Sequence, residues 1–372
     1  MLQFLTCGES HGKYLSAILE GIPSGLAIDP KVLDHDLFRR QQGYGRGGRQ
    51  KIEKDQVELT GGVYRGSTTG APVGFLLQNK DFKIDDMPEL LRPRPGHADL
   101  AGAVKYHEGI REILERASAR ETAMRVAIGA LCRMFLSEFG IEVAGHVIQI
   151  GKVRLTEDVT FDQILKKRDG SEVNCVSQEA GKQMVAEIRK AMENKDTVGG
   201  IYEIRAKGLP IGLGSHVHYK RKLDGRIAQA LMSMQSVKAV EFGLGIREAE
   251  TPGSEAHDEI FFDPKKGYYH KTNRAGGLTG GMTNGNELLV RATMKPISTL
   301  RRELRSVNMK TKKEEKADFE RSDVCAVPAG SVIGEAIVAY ELADAMLEKF
   351  GGDSMIETKR NYDGYLAQLT KA

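Results

Sequence analysis

Two short stretches carry the residue types that could do proton chemistry. The first, Gly8-Glu9-Ser10-His11-Gly12, is a tight polar turn at the end of an apolar run. The second, Arg92-Pro-Arg94-Pro-Gly-His97-Ala-Asp99, is a proline-stiffened loop that presents an imidazole among cations and a carboxylate. Histidine suits general acid–base work because its unperturbed pKa lies near working pH. A third stretch supplies charge. Between Asp36 and Glu53 five cations occur without an acid: Arg39, Arg40, Arg46, Arg49 and Lys51, on a glycine-rich backbone. Cations on a pliable loop suit an anionic ligand, or alternatively an RGG-like contact with RNA. Gly43, Gly45 and Gly48 match G-x-G-x-x-G, but the loop leaves a helix and enters a strand, the reverse of a dinucleotide fold.

These groups need rigid elements to hold them. From Thr122 to Leu136 the only charged residues are Arg125 and Arg133, so no solvent face of ordinary width remains. A helix apolar nearly all round is buried. Ser118 and Glu121 have capping-box spacing, which predicts a helix N-terminus there with Arg116 and Arg120 beside its free N–H groups. A second small-residue helix is predicted over 330–350, and Glu320-Arg321-Ser322-Asp323 before it echoes Glu115-Arg116-Ala-Ser118 before the first. That echo predicts an internal pseudo-twofold that brings Arg116 and Arg321 to one site.

Strands are expected over 2–6, 14–22, 57–64, 73–78, 141–150, 199–205 and 288–294, and helices over 30–42, from 177 onward and over 223–235. Two imidazoles, His216 and His218, are expected on one face of a strand, without a third metal ligand. The charged run 308–320 is expected to be mobile. Gly280, Gly281 and Gly285 form a further glycine loop ahead of Lys295-Pro-Ile-Ser-Thr299, which suits either a phosphate site or a plain hairpin.

Composition narrows the classes. At 372 residues, 40% hydrophobic and 28% charged, the chain reads as a soluble globular protein, and its net charge of +3 is too weak for a dedicated nucleic-acid binder. The four cysteines, Cys7, Cys132, Cys175 and Cys325, are too scattered for a zinc pair and suit a reducing compartment. No apolar window reaches the ~18 residues of a membrane span, and no leader is visible, so a cytoplasmic location with no membrane partner is expected.

Taken together, GESHGKYLSAILEGIP at 8–23, RRQQGYGRGGR at 39–49, RPGHAD at 94–99, RASARETAMRVAIGAL at 116–131, GGMTNG at 280–285, MKPIST at 294–299 and ERSD at 320–323 resemble the chorismate synthase family, in family order from end to end. The resemblance implies an α+β fold: a β-α-β sandwich with a central helix layer between antiparallel sheets, built as a single domain over 1–372 and assembled as a homotetramer. It implies loss of phosphate from 5-enolpyruvylshikimate-3-phosphate to give chorismate, with reduced FMN as cofactor and NADPH as a candidate reductant. It places His11, His97 and Asp323 in catalysis. It places FMN on Arg116, Ala117, Ser118, Gln235, Ser236, Gly280, Lys295, Pro296, Ile297, Ser298, Thr299 and Arg321. Substrate or nicotinamide falls on Arg40, Arg46, Ser10, Arg49 and Arg120, and no metal is implied. Two rivals stay open at this point: an RGG-type RNA-binding module on 39–51 and a phosphate-eliminating lyase that needs no flavin.

Overall fold

The structure, a computed structural model, describes residues 1–264, 267–320 and 322–369. Strands β1 (Gln3–Cys7), β2 (Tyr14–Glu20), β3 (Glu58–Gly61) and β4 (Val73–Gln78) form one antiparallel sheet in the order β1-β2-β4-β3. Alternation decides its orientation: Leu15, Ala17 and Leu19 with Val73, Phe75 and Leu77 are buried on the inner face. Strands β5 (Glu142–Ile150), β6 (Val153–Arg154), β7 (Gly200–Lys207), β8 (Val237–Phe242) and β9 (Leu288–Met294) form a second antiparallel sheet, ordered β8-β9-β7-β5-β6.

Helices fill the space between. In chain order those that matter here are α1 (Pro30–Gln41), α2 (Asp99–Tyr106), α3 (Ile110–Ala117), α4 (Thr122–Ser137), α5 (Gln178–Glu193), α6 (Leu223–Met232) and α7 (Val327–Phe350). The two small-residue helices, α4 and α7, pack on each other; α4 also meets β2 and β4, while α7 lies on β5 and β7. The central layer is therefore covered on both sides, as a helix apolar all round requires. Small residues set the spacing. A Cβ on Gly129 of α4 would come within 2.4 Å of the Ala336 Cβ of α7. One turn apart on α7, Gly330 and Gly334 lie against the ring of Tyr202, which a Cβ on Gly334 would approach to 2.5 Å.

The same layer holds a buried ion cluster. Glu335 of α7 accepts from Arg39 (3.0 Å), Arg133 (2.8 Å), Arg168 (2.6 Å) and the Gly145 N–H (2.9 Å), and Asp36 bonds Arg39 and Arg133. Burial alone would protonate Glu335; the three guanidiniums overrule it and hold the carboxyl far below its ordinary range. Arg133, a rare charge on an apolar helix, is thus a tie between α1, α4 and α7.

Several expectations change. Ser118 accepts from the Arg120 N–H (3.3 Å), but what it caps is a 3₁₀ turn, Ala119–Glu121, that precedes α4. The capping box does not close, because the Glu121 side chain turns away to Arg125 (3.0 Å) and Gln235 (3.1 Å). Arg116 consequently ends α3 instead of opening α4. The second small-residue helix starts earlier, at Val327, where Pro328 fits the first turn. Residues 216–218 form a bend before a 3₁₀ turn, so His216 and His218 do not share a strand face. The charged run makes a hairpin, Arg305–Val307 with Glu314–Lys316, tied down by Asp318. Arg321, on which the pseudo-twofold expectation rested, lies outside the described residues.

Candidate active site

The turn after β1 is anchored before it can do chemistry. Gly8 has φ +105°, and a Cβ there would meet the Tyr14 carbonyl oxygen at 2.4 Å, so only glycine lets the chain reverse this tightly. Asn79 donates to the carbonyls of Gly12 (2.7 Å) and Ser10 (3.2 Å). From α3, the Glu115 carbonyl takes the Ser10 N–H (2.9 Å), and its carboxylate takes the His11 N–H (2.7 Å) and His11 Nδ1 (2.9 Å). Burial works against ionisation of Glu115, but the His11 bonds and nearby Arg111 hold it below the usual carboxylate range.

Beside that turn four arginines gather. Arg49 donates to the Ser10 hydroxyl (2.8 Å) and carbonyl. Arg120 donates to Asn79 (2.9 Å) and Asp55 (2.7 Å). Arg40 donates to Thr122 (3.0 Å), the Ala119 carbonyl (3.0 Å) and Asp55 (3.4 Å). Arg46 pairs with Asp323 (2.9 Å), whose other oxygen accepts from the Gly47 N–H (2.6 Å). The set is unfinished. Arg46 Nε, Arg49 Nε, Arg120 Nη2 and Asp55 Oδ1 are buried without a hydrogen-bond partner. Buried polar groups normally find partners, so the three guanidinium donors point to a ligand with oxygens, while Asp55 Oδ1, an acceptor, calls for a donor. Burial, partly offset by Asp55, and the neighbouring Arg120 and Arg46 push the Arg40 guanidinium down to about 9. It stays protonated at neutral pH, and burial is the main cause of the shift.

His97 belongs to a second cluster. Its Nδ1 lies against Asp99 Oδ1 and 3.0 Å from Arg94 Nη2. Arg94 grips Asp99 with Nε (2.8 Å) and Nη2 (2.9 Å) and reaches Thr299 with Nη1 (2.7 Å). Burial opposes the Asp99 charge, yet Arg94 and His97 hold it well below the usual range. Lys295 Nζ and Ser298 Oγ each donate to the Gly96 carbonyl at 2.8 Å. This loop lines a cavity of about 530 Å³ with Pro95, Thr197 and Ile297. Burial, and to a lesser degree Lys238, pushes the Lys295 ammonium down.

The two clusters meet at 116–121. Arg116 donates to Thr6 (2.8 Å) and Gly8 (3.1 Å) carbonyls under the His11 turn, and Arg120 enters the arginine cluster. Glu121 binds Gln235, the Ser236 carbonyl accepts from the Lys295 N–H (2.9 Å), and Lys295 leads to Ser298 and Gly96. Ser236, not glycine, is held at φ +71°, a strain of roughly 1–3 kcal/mol that tends to persist at functional sites. Gln235 Oε1 is buried without a partner.

The structure thus joins Ser10, His11, Arg40, Arg46, Arg49, Arg120 and Asp323 in one network. It joins His97, Gln235, Ser236 and the 295–299 loop in another, linked to the first through Glu121 and Gln235, while Arg116 reaches the His11 turn and Ser118 the Arg120 N–H. Gly280 stands apart: its hairpin, Leu278–Thr279 with Met282–Thr283, packs on the loop before α6. Four residues of the network, Glu115, Asp55, Asn79 and Glu121, carried no site signal in the sequence; each is an ordinary polar residue whose role depends on strands and helices distant in the chain. A separate cavity of about 370 Å³ between α4, α6 and α7, lined by Phe4, Arg125, Arg226 and Glu341, holds none of the expected site residues.

The family model described as chorismate synthase matches residues 2–347. The chain is 51% identical to the chorismate synthase of Geobacter sulfurreducens, with 98% of each chain covered, and 50% identical to that of Symbiobacterium thermophilum, with 100% of each covered. A solved structure, "Crystal Structure of Chorismate Synthase", superposes with a TM-score of 0.84 at 40% identity, covering 100% of this chain and 99% of that one.

Proposed function

The chain belongs to the chorismate synthase family, and on that premise we propose how its residues carry the family reaction. The reaction is a 1,4-anti elimination that removes phosphate and a C6 hydrogen from 5-enolpyruvylshikimate-3-phosphate to give chorismate, the last common step towards the aromatic amino acids. It uses reduced FMN without net redox change.

The observation that carries the substrate assignment is the set of buried guanidinium N–H groups without partners on Arg46, Arg49 and Arg120. A phosphorylated dicarboxylate offers the oxygens they lack. Charge-assisted bonds of this kind are about twice as strong as neutral ones. The residues present also fit a flavin mononucleotide: Lys295 and Ser298 offer donors around a glycine, Gln235 keeps a buried amide oxygen free, and Arg116, Ala117 and Ser118 border both clusters. Reduced FMN, when bound, accepts the C6 hydrogen at N5. Pro296 and Ile297 line the same cavity and would offer a flavin an apolar edge. Arg321 is assigned to the same group by resemblance alone.

His97 is the general acid towards the leaving phosphate: it is partly open to solvent, and Asp99 and Arg94 hold its ring. His11 serves the flavin side. Asp323, held by Arg46 on one oxygen and by the Gly47 amide on the other, would assist proton transfer to bound flavin, a role assigned by resemblance. The 372 residues act as one domain, since one hydrophobic cluster runs from Leu2 to Met355 through both sheets and the helix layer. Leu5 and Ile18, exposed on the outer face of the first sheet, suit the subunit contacts of a homotetramer. NADPH is the reductant we assign to the flavin, at the Arg40–Arg46 side. Among the described residues no helix is long and apolar enough to cross a membrane, in keeping with a cytoplasmic enzyme.

An RGG-type contact is disfavoured because Arg40, Arg46 and Arg49 are committed inward. The deciding experiment is anaerobic titration of the protein with FMN, reduction, and addition of substrate. Tight flavin binding with a spectral change on substrate is expected. Elimination without flavin, or salt-sensitive RNA binding with no flavin taken up, overturns the reading.

A further inference from the structure

We propose that Glu115 is a positioning residue for the elimination: its carboxylate holds the His11 imidazole by Nδ1, so that Nε2 is the atom presented to flavin and substrate. The proposal rests on the reading that His11 takes part in the reaction.

The first argument is geometric. Both Glu115 oxygens lie within reach of His11 Nδ1, at 2.9 and 3.1 Å, and one of them also takes the His11 backbone N–H at 2.7 Å. An ionised carboxylate only accepts, so Nδ1 must carry the proton in these bonds. That leaves Nε2, which makes no hydrogen bond among the described residues, as the nitrogen free to exchange a proton. The imidazole is fixed in one tautomer and one orientation by a single side chain.

The second argument is what Glu115 does not do. Its side chain is 1% exposed, and taking a carboxylate out of water costs several kcal/mol unless it is paired. Its one nearby cation, Arg111, stands 3.8 Å away and spends its own donors elsewhere, on Glu320 (2.6 Å) and the Pro88 carbonyl (3.1 Å). The carboxylate's hydrogen bonds therefore go to His11, and Arg111 Nη1 at 3.8 Å adds a longer ion pair without a hydrogen bond to it. The other charges facing the turn are Asp81, Arg49 through Ser10, and Arg116 through the Thr6 and Gly8 carbonyls, while Lys83 contributes only its backbone N–H to the His11 carbonyl. None of these touches the ring.

His97 shows the contrast. Its Nδ1 also meets a carboxylate, but Asp99 is gripped by two nitrogens of Arg94, so its charge is shared. The two histidines are held in the same way and supported differently, which fits their separate tasks.

The test uses the full chain with reduced FMN. Glu115→Gln keeps size and an acceptor oxygen but removes the charge; Glu115→Asp keeps the charge and withdraws it by about one C–C bond, ~1.5 Å. Glu115→Gln is expected to lower kcat about 10–100-fold, the usual range for residues that orient a working ligand, with KM and FMN affinity changed less than ~3-fold. Nitrogen-15 spectra of the His11 ring should show one tautomer in the parent and a mixture in Glu115→Gln. In the His11→Ala background the same substitution should change kcat by less than ~2-fold. A full-size effect in that background, or an unchanged tautomer with unchanged kcat, overturns the proposal. If Glu115→Gln does not fold, Glu115→Asp decides: a mixed tautomer with reduced kcat supports the proposal, and parent-like behaviour in both overturns it. Normal turnover of His11→Ala on its own would show instead that the His11 reading fails, leaving Glu115 nothing to position.

Discussion

Arg120→Lys isolates the contribution of one fork-shaped donor to substrate binding. In the parent, Arg120 spends Nη1 on Asp55 at 2.7 Å and Nε on Asn79 at 2.9 Å, and leaves Nη2 buried without a hydrogen bond, 3.8 Å from Glu53. If Nη2 donates to a phosphate or carboxylate oxygen of the substrate, the bond is charge-assisted and contributes about 1.5–3 kcal/mol. At 1.4 kcal/mol per decade that corresponds to roughly a 12- to 140-fold change in affinity. Lysine keeps the positive charge, so the general attraction of the pocket survives; it loses the planar geometry that serves Asp55, Asn79 and ligand together. Asp55 retains Arg40 at 3.4 Å, which limits the structural damage. The assay is substrate KM and the dissociation constant read from the flavin spectrum, with thermal melting and FMN affinity as controls. A change below about 3-fold in both constants, in a variant that melts like the parent, would refute the assignment of Nη2 to substrate.

Three further outcomes are expected. His11→Ala or His97→Ala should each cut turnover at least ~10-fold with FMN still bound, since placed acids and bases contribute ~10²–10⁴; near-normal rates in both contradict the catalytic reading. Glu335→Gln strands Arg39, Arg133 and Arg168 in the interior and should cost about 3–5 kcal/mol in urea unfolding, whereas a loss under ~1 kcal/mol would show that Asp36 and Asp169 suffice. On acidification, Glu335 and Glu203 are both held below their ordinary 4.5, Glu203 down to about 2, where burial is overruled by His146 and Arg205. A depressed folded pKa means stability that is fully present above the unfolded value and lost as pH falls through the folded one, so the carboxylates' contribution to the urea midpoint should hold above pH 4.5 and drop steadily towards 2, after an earlier loss below 6.5 from His146, which burial holds below its ordinary value.

Much of this was legible in the chain itself, for reasons that differ by element. The helix over 122–137 declared itself because a helix without a polar face has only one place to go. The strands around Leu15 and Phe75 showed in their alternation. The short turns carrying His11 and His97 stood out because glycine and proline fix local geometry without outside help. What failed was whatever depended on a distant partner. Glu121 has the spacing of a cap yet turns to Gln235, more than a hundred residues on, and the charged run after Asn308 is tied by Asp318 to Arg92. Glu115 and Asp55 could not be singled out, because a carboxylate becomes an orienting group only once another segment has been folded against it.

The contact between Gly129 and Ala336 has a practical corollary for genetics. With only the Ala336 methyl between them, the two central helices are fixed at close approach. Substituting Gly129 with any larger residue would wedge the pair apart and, in a screen for lost activity, would imitate an active-site lesion although it lies among apolar neighbours. Ala336→Gly should not rescue such alleles, because the Ala336 Cα and carbonyl oxygen would each stand 2.5 Å from the new Cβ.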